Sequence, residues 1–260
     1  MADVYVVSPT TAHTHTIIFL HGRGSNAAEF ASEFFESQDR QDRYLQSVFP
    51  SIKWVFPCAK MRWAAIEQET MCQWFDMASV LHPNQQMDMQ KEGLRESVEG
   101  LMNIMESESE VQGIGMNRIF LAGISQGCAT AIIALFCSGV RLAGFIGLSS
   151  WLPFSDEIIR FQNYSLTDTK GGVRALLGLA EDDDQMQIPA AQLTPVLLEH
   201  CLDDLVVPSQ NGKDLEEKLR LLGMQVKMKI YSDGGHWVNE PTGIDDMVEF
   251  IEQNLLIVSS

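Results

Sequence analysis

Residues 118 to 131 read Arg-Ile-Phe-Leu-Ala-Gly-Ile-Ser-Gln-Gly-Cys-Ala-Thr-Ala, an apolar run that breaks at a glycine-flanked serine and continues in small residues. That order predicts a buried strand, a sharp turn and the start of a helix. A serine at the apex needs neighbours without bulk two residues away on either side, because the turn presses strand and helix backbones together. Gly123 and Gly127 meet that need. The turn lifts the Ser125 hydroxyl above the sheet edge and aims the Gln126 N–H at the place where an oxyanion would form beside it. Ser125 is therefore the candidate nucleophile; the alternative for so short a motif is an ordinary glycine-rich turn.

The surrounding chain supplies the scaffold such a turn requires. Strands are expected at residues 3–7, 16–20, 52–56, 118–122, 143–149, 195–200 and 225–231, most of them continuous apolar runs typical of parallel strands covered on both faces. Helical spacing falls between them at 26–36, 91–111, 125–136, 208–222 and 242–256. Alternating strands and helices predict one α/β domain over residues 1–260, with a mainly parallel, doubly wound sheet and right-handed crossovers. Two stretches escape this pattern. Residues 58–90 have poor periodicity and many Met and aromatic side chains, suited either to lining an acyl pocket or to packing over the core. Residues 154–192 read as a small cap insertion or an irregular excursion, and their run Glu181-Asp182-Asp183-Asp184 lacks the ligand spacing of a calcium loop.

A formal charge of -17 argues against nucleic acid or an anionic membrane surface as partner. No run approaches the length of a membrane span and the N-terminus lacks a signal-peptide pattern, so a cytoplasmic protein is expected. Cys58, Cys72, Cys128, Cys137 and Cys201 are odd in number and show no ligand spacing, which suggests reduced thiols, no disulfide framework and no metal.

Chemistry needs partners for Ser125. A serine is a poor nucleophile until an imidazole takes its proton and a carboxylate fixes that imidazole. His236 follows the last strand in a Gly-Gly turn at the sheet's C-terminal edge and is the candidate base; His200 lies inside a strand and reads as core. The acid is expected after the preceding strand, where Asp203 and Asp204 both stand, and the interval from Asp204 to Val207-Pro208 favours Asp204. His21-Gly22-Arg23-Gly24 leaves the strand 16–20 as a loop whose Arg23 N–H would be the second oxyanion donor.

Taken together, Phe19-Leu20-His21-Gly22-Arg23-Gly24, Gln73-Trp74-Phe75-Asp76, Gly123-Ile124-Ser125-Gln126-Gly127, Leu148-Ser149-Ser150-Trp151-Leu152-Pro153, Asp204 with Val207-Pro208, and Gly235-His236 make the chain resemble the phospholipase/carboxylesterase family of α/β-hydrolases, which includes the acyl-protein thioesterases. The resemblance implies an α/β-hydrolase fold, a triad of Ser125, Asp204 and His236, oxyanion donors at Arg23 and Gln126, and no cofactor. It implies hydrolysis of a carboxylic ester or acyl thioester, small or attached to a lipidated protein, by a monomer or homodimer. Trp74, Phe75, Trp151, Leu152 and Trp237 are the expected substrate-binding residues. Arg23, Cys201-Leu202 and Trp237 depart from the family's usual apolar residue, Gly-Asp pair and smaller residue. Those departures keep open hydrolysis, acyl transfer or cyclisation of a small polyketide-like metabolite, and a non-catalytic ligand-binding role.

Overall fold

A computed structural model describes residues 3–111, 113–162, 166–180 and 190–255. In chain order the main elements are β1 (Val4–Val7), β2 (His15–Leu20), α1 (Ala27–Phe34), α2 (Leu45–Val48), β3 (Ile52–Pro57), β4 (Met61–Ala64), β5 (Glu69–Cys72) and α3 (Lys91–Val111). They continue as β6 (Ile119–Ile124), α4 (Gln126–Ser138), β7 (Gly144–Leu148), α5 (Ser155–Gln162), α6 (Leu166–Leu176), β8 (Val196–Cys201), α7 (Ser209–Leu221), β9 (Val226–Tyr231) and α8 (Thr242–Leu255). Seven strands form one sheet in the order β1-β3-β2-β6-β7-β8-β9. Only β1 runs antiparallel to its neighbour; the other pairings are parallel.

The apolar strand runs are explained by burial on both faces. Alternate residues of β2 point to opposite layers: Ile17 and Phe19 pack with Phe30 and Phe34 of α1 and with Ile244, Met247 and Ile251 of α8. Ile18 and Leu20 join Leu94, Val98 and Leu101 of α3 and the apolar side chains of α4. The same alternation divides β6 into Phe120 and Ala122 on one side and Ile119 and Leu121 on the other. Side chains pointing to opposite faces at every second residue are the geometric basis of this two-layered core.

The irregular stretches resolve differently from each other. The Met- and aromatic-rich segment contains an antiparallel hairpin, β4 with β5, in which Met61 pairs with Cys72 and Ala64 with Glu69. Its strands have only four residues each and are largely exposed, so no buried alternation marks them in the sequence. Among its described residues, the stretch 154–192 holds helices α5 and α6, and Val173 and Leu177, within and just after α6, are buried in the same layer as α4. The acidic run at 181–184 lies outside the described residues. Among the described residues, no helix is long and apolar enough to cross a membrane.

The turn between β6 and α4 is tighter than any side chain allows at its two glycines. A Cβ on Gly127 would sit 2.4 Å from the His21 carbonyl oxygen and 2.5 Å from that of Leu20, and one on Gly123 would sit 2.4 Å from the Cys128 nitrogen. These obstacles are backbone, which cannot swing aside. Gly127→Ala should therefore destabilise the fold by about 2–4 kcal/mol, whereas Gly100→Ala, on a helical position of α3 with nothing within 4 Å of the added carbon, should stabilise it by about 0.5–1 kcal/mol. Thermal unfolding of the two variants checks both signs.

Candidate active site

Ser125 sits at the apex of that turn with φ 55 and ψ -125, a positive-φ conformation that costs energy for a residue with a side chain. The surroundings hold it there. Its N–H donates to the Leu148 carbonyl at 2.9 Å, and its carbonyl accepts the Ser150 hydroxyl at 2.7 Å and the Ala129 amide at 3.0 Å. Gly22 lies against it on the other side, so near that a Cβ there would be 3.8 Å from that of Ser125.

His236 leaves β9 through Gly234 and Gly235, whose φ values of 125 and 65 are glycine conformations. Its Nδ1 lies 2.8 Å from Asp204 Oδ2. Ser125 and His236 line one cavity of about 340 Å³ together with Arg23, Gln126, Trp151 and Trp237.

Asp204 is a buried carboxylate with an unusual number of donors. Oδ1 accepts the amides of Val206 at 2.8 Å and Val207 at 2.9 Å, and Oδ2 faces both His236 and His200 Nε2, the latter at 3.2 Å. Burial alone would raise its pKa; the hydrogen bonds from His200, His236 and the Val207 amide outweigh that and hold it below the ordinary carboxylate range. A carboxylate that stays ionised next to Nδ1 keeps the proton on Nδ1 and leaves Nε2 free to accept one. Asp203 acts elsewhere, its Oδ1 accepting the Gly235 amide at 2.8 Å and bracing the turn that carries the histidine.

His200 is a residue of the site that sequence reasoning misses. It is buried near the end of β8, where its Nε2 also faces the Val207 carbonyl at 2.9 Å, so it ties the start and the end of the acid loop together. Its position four residues before Asp204 is the available signal.

The second loop of the site is held by side chains behind it. His21 Nε2 accepts the Ala59 amide at 3.1 Å, which leaves the ring proton on Nδ1 to donate to the Gly22 carbonyl at 2.7 Å. Burial lowers the His21 pKa and keeps the ring neutral. Gln126 extends its amide the other way, accepting the Trp74 N–H at 2.9 Å and donating to the Phe75 carbonyl at 2.8 Å. Trp74 in turn donates its indole N–H to the His21 carbonyl at 2.8 Å. As the first residue of α4, Gln126 has no intrahelical acceptor for its own N–H.

The expected substrate residues therefore divide. Trp151 and Trp237 line the cavity with Ser125; Trp74, Phe75 and Leu152 do not. Trp74 and Phe75 are buried and brace the loop after β2 and the start of α4, and Leu152 lines a smaller recess. None of the described residues of α5 or α6 borders the cavity. The Arg23 guanidinium is also committed, bonding Gln73 Oε1 at 2.8 Å and both carboxylate oxygens of Glu67 at the hairpin tip. That guanidinium holds the Glu67 pKa below its usual value.

A sequence model of the phospholipase/carboxylesterase family matches residues 1–170 and 162–255. The chain belongs to the phospholipase/carboxylesterase family. Within that family, acyl-protein thioesterase 1 of Yarrowia lipolytica is 33% identical over 159 residues, 61% of this chain and 66% of that protein. Acyl-protein thioesterase 1 of Gibberella zeae is 28% identical over 253 residues, 96% of this chain and 94% of that protein. The match to Yarrowia lipolytica, like that to Cryptococcus neoformans acyl-protein thioesterase 1 at 65%, spans just under two thirds of the relative's length. The crystal structure of Zea mays acyl-protein thioesterase 2 superposes with a TM-score of 0.72 at 24% identity, covering 98% of this chain and 100% of that one. This likeness makes the fold an α/β-hydrolase fold.

Two outcomes follow from the geometry. Asp204→Asn should lower kcat by about 10⁴-fold, and Asp203→Asn, whose amide oxygen still accepts the Gly235 N–H, by less than about threefold; steady-state kinetics on one ester substrate compares them. Glu67→Gln should lower kcat by about tenfold, because the loop carrying the Arg23 amide loses its anchor. The same change should cost no more than about 1 kcal/mol of stability, as expected for a partly exposed pair.

Proposed function

We propose that this phospholipase/carboxylesterase family member is a serine hydrolase that cleaves acyl esters or thioesters through an acyl-enzyme on Ser125. The reading rests on one observation above the rest: a buried, ionised Asp204 is bonded to His236, and His236 lines one cavity with the strained Ser125. In the reaction, His236 Nε2 takes the Ser125 proton as Oγ attacks the carbonyl carbon. The Arg23 and Gln126 amides receive the oxyanion, and His236 returns the proton to the leaving thiol or alcohol. Water activated by the same imidazole then releases the acid and frees Ser125.

The cavity points to a modest acyl chain. Its apolar lining includes Trp151, Trp237, Met77 and Val80, and its volume of about 340 Å³ lies at the small end of ligand pockets. Trp237 packs edge-to-face on Phe30 at 5.7 Å between ring centroids, so it is a fixed wall. The relatives named acyl-protein thioesterase support a thioester substrate. Whether the leaving group belongs to a lipidated protein or a small metabolite is decided by assay.

A graded panel of p-nitrophenyl esters and acyl-CoA thioesters tests the reading. Turnover is expected, with kcat/KM peaking at short or medium acyl length and falling for long chains, and Ser125→Ala should reduce it by at least about 10³-fold. Turnover of no member of the panel, or turnover unaffected by Ser125→Ala, would contradict it.

A further inference from the structure

Behind the oxyanion loop three side chains far apart in the chain converge. His21 follows β2, Cys58 follows β3 and Cys72 ends β5. Cys58 Sγ and Cys72 Sγ are 3.9 Å apart, Cys72 Sγ is 3.8 Å from His21 Nε2, and all three donor atoms lie within 4.8 Å of one another. A tetrahedral zinc ion with thiolate bonds of about 2.3 Å and an imidazole bond of about 2.0–2.1 Å has ligand–ligand edges of about 3.6–3.8 Å. Two of the three edges found here therefore lie close to the length that one ion would impose.

The histidine is also prepared for ligation. Its Nδ1 proton is committed to the Gly22 carbonyl at 2.7 Å, the arrangement in which a backbone carbonyl fixes the tautomer and leaves the lone pair on the other nitrogen. That nitrogen lies beside the thiols and accepts the Ala59 amide, at 3.1 Å. Cys58 and Cys72, both half-buried, line a cavity of about 1160 Å³ that Ser125 and His236 do not border.

We propose that His21, Cys58 and Cys72 form a binding site for a thiophilic divalent cation of the zinc class. Binding exchanges two S–H bonds for two metal–thiolate bonds and releases two protons to solvent; the Cys72 thiol gives up its hydrogen bond to the Ala59 carbonyl, and the Ala59 amide yields Nε2. The ion would tie β2, β3 and β5 together directly behind the loop that carries the Arg23 amide, since the Cys72 carbonyl also accepts the Gly24 amide at 2.8 Å. No step of this depends on the hydrolase reading.

Cobalt is the probe. Anaerobic titration of the reduced full chain with Co²⁺ should give thiolate-to-metal charge transfer in the near ultraviolet and the visible bands of tetrahedral cobalt, saturating at one equivalent and bleached by Zn²⁺. Cys58→Ser and Cys72→Ser should each weaken the signal by at least about tenfold, while His200→Gln leaves it unchanged. In the native chain, Zn²⁺ should protect Cys58 and Cys72 from alkylation, a readout that needs no variant to fold. Absence of the charge-transfer band in native protein, its survival in both cysteine variants, or unchanged alkylation of Cys58 and Cys72 with zinc would overturn the proposal.

Discussion

Everything at the site depends on how closely two backbones approach at the start of α4. With Gly127 against the carbonyls of Leu20 and His21, and Gly123 against the amide of Cys128, helix, turn and the neighbouring strand β2 meet where no side chain fits. That contact has two consequences. It holds Ser125 in a positive-φ conformation at the turn's apex, and it brings the loop after β2 beside the helix N-terminus. The candidate nucleophile and both candidate oxyanion donors are thus placed by one packing constraint rather than by three independent ones. Strain of this kind persists only where the surroundings over-determine it, and the three bonds to the Ser125 backbone with the Gln126–Trp74–His21 lattice do so here.

The opposite wall works by charge. A carboxylate buried to the extent of Asp204 would be neutral without compensation, and the chain compensates by aiming two amides and two imidazoles at it. His200 belongs to this group although it does not line the cavity. Its tight packing under α7, where a Cβ on Gly212 would come within 2.3 Å of its Nδ1, leaves the ring no freedom to turn away. The loop carrying Asp204 is consequently braced from β8 to the start of α7, and His236 faces a fixed partner.

Much of this is legible in the residues because the controlling features are local. The turn glycines, the apolar β2 and β6, and the Gly234-Gly235 approach to His236 are short-range patterns that name both an element and its end. The hairpin β4–β5 is not legible: its exposed four-residue strands carry no alternation, and what ties it to the site is the long-range bond from Glu67 to Arg23. Trp74 and Phe75 read as pocket walls in the sequence because aromatic composition does not distinguish a wall from a girder; the distinction is made by Gln126, 52 residues away from Trp74 in the chain. His200 is hidden for the opposite reason, since a histidine in an apolar strand looks like core until the loop folds over it. Cys58 and Cys72 lack any ligand spacing with His21 in the sequence, and only the hairpin brings the three together.

We propose that Ser125 is uniquely reactive because His236 and Asp204 make it so. The most direct measurement is peptide mapping after exposure of the native, folded protein to a fluorophosphonate. The account predicts one adduct, on Ser125, abolished by prior denaturation and by His236→Ala. An adduct that is absent, that maps to another residue, or that forms on Ser125 as fast without His236 as with it would contradict the account.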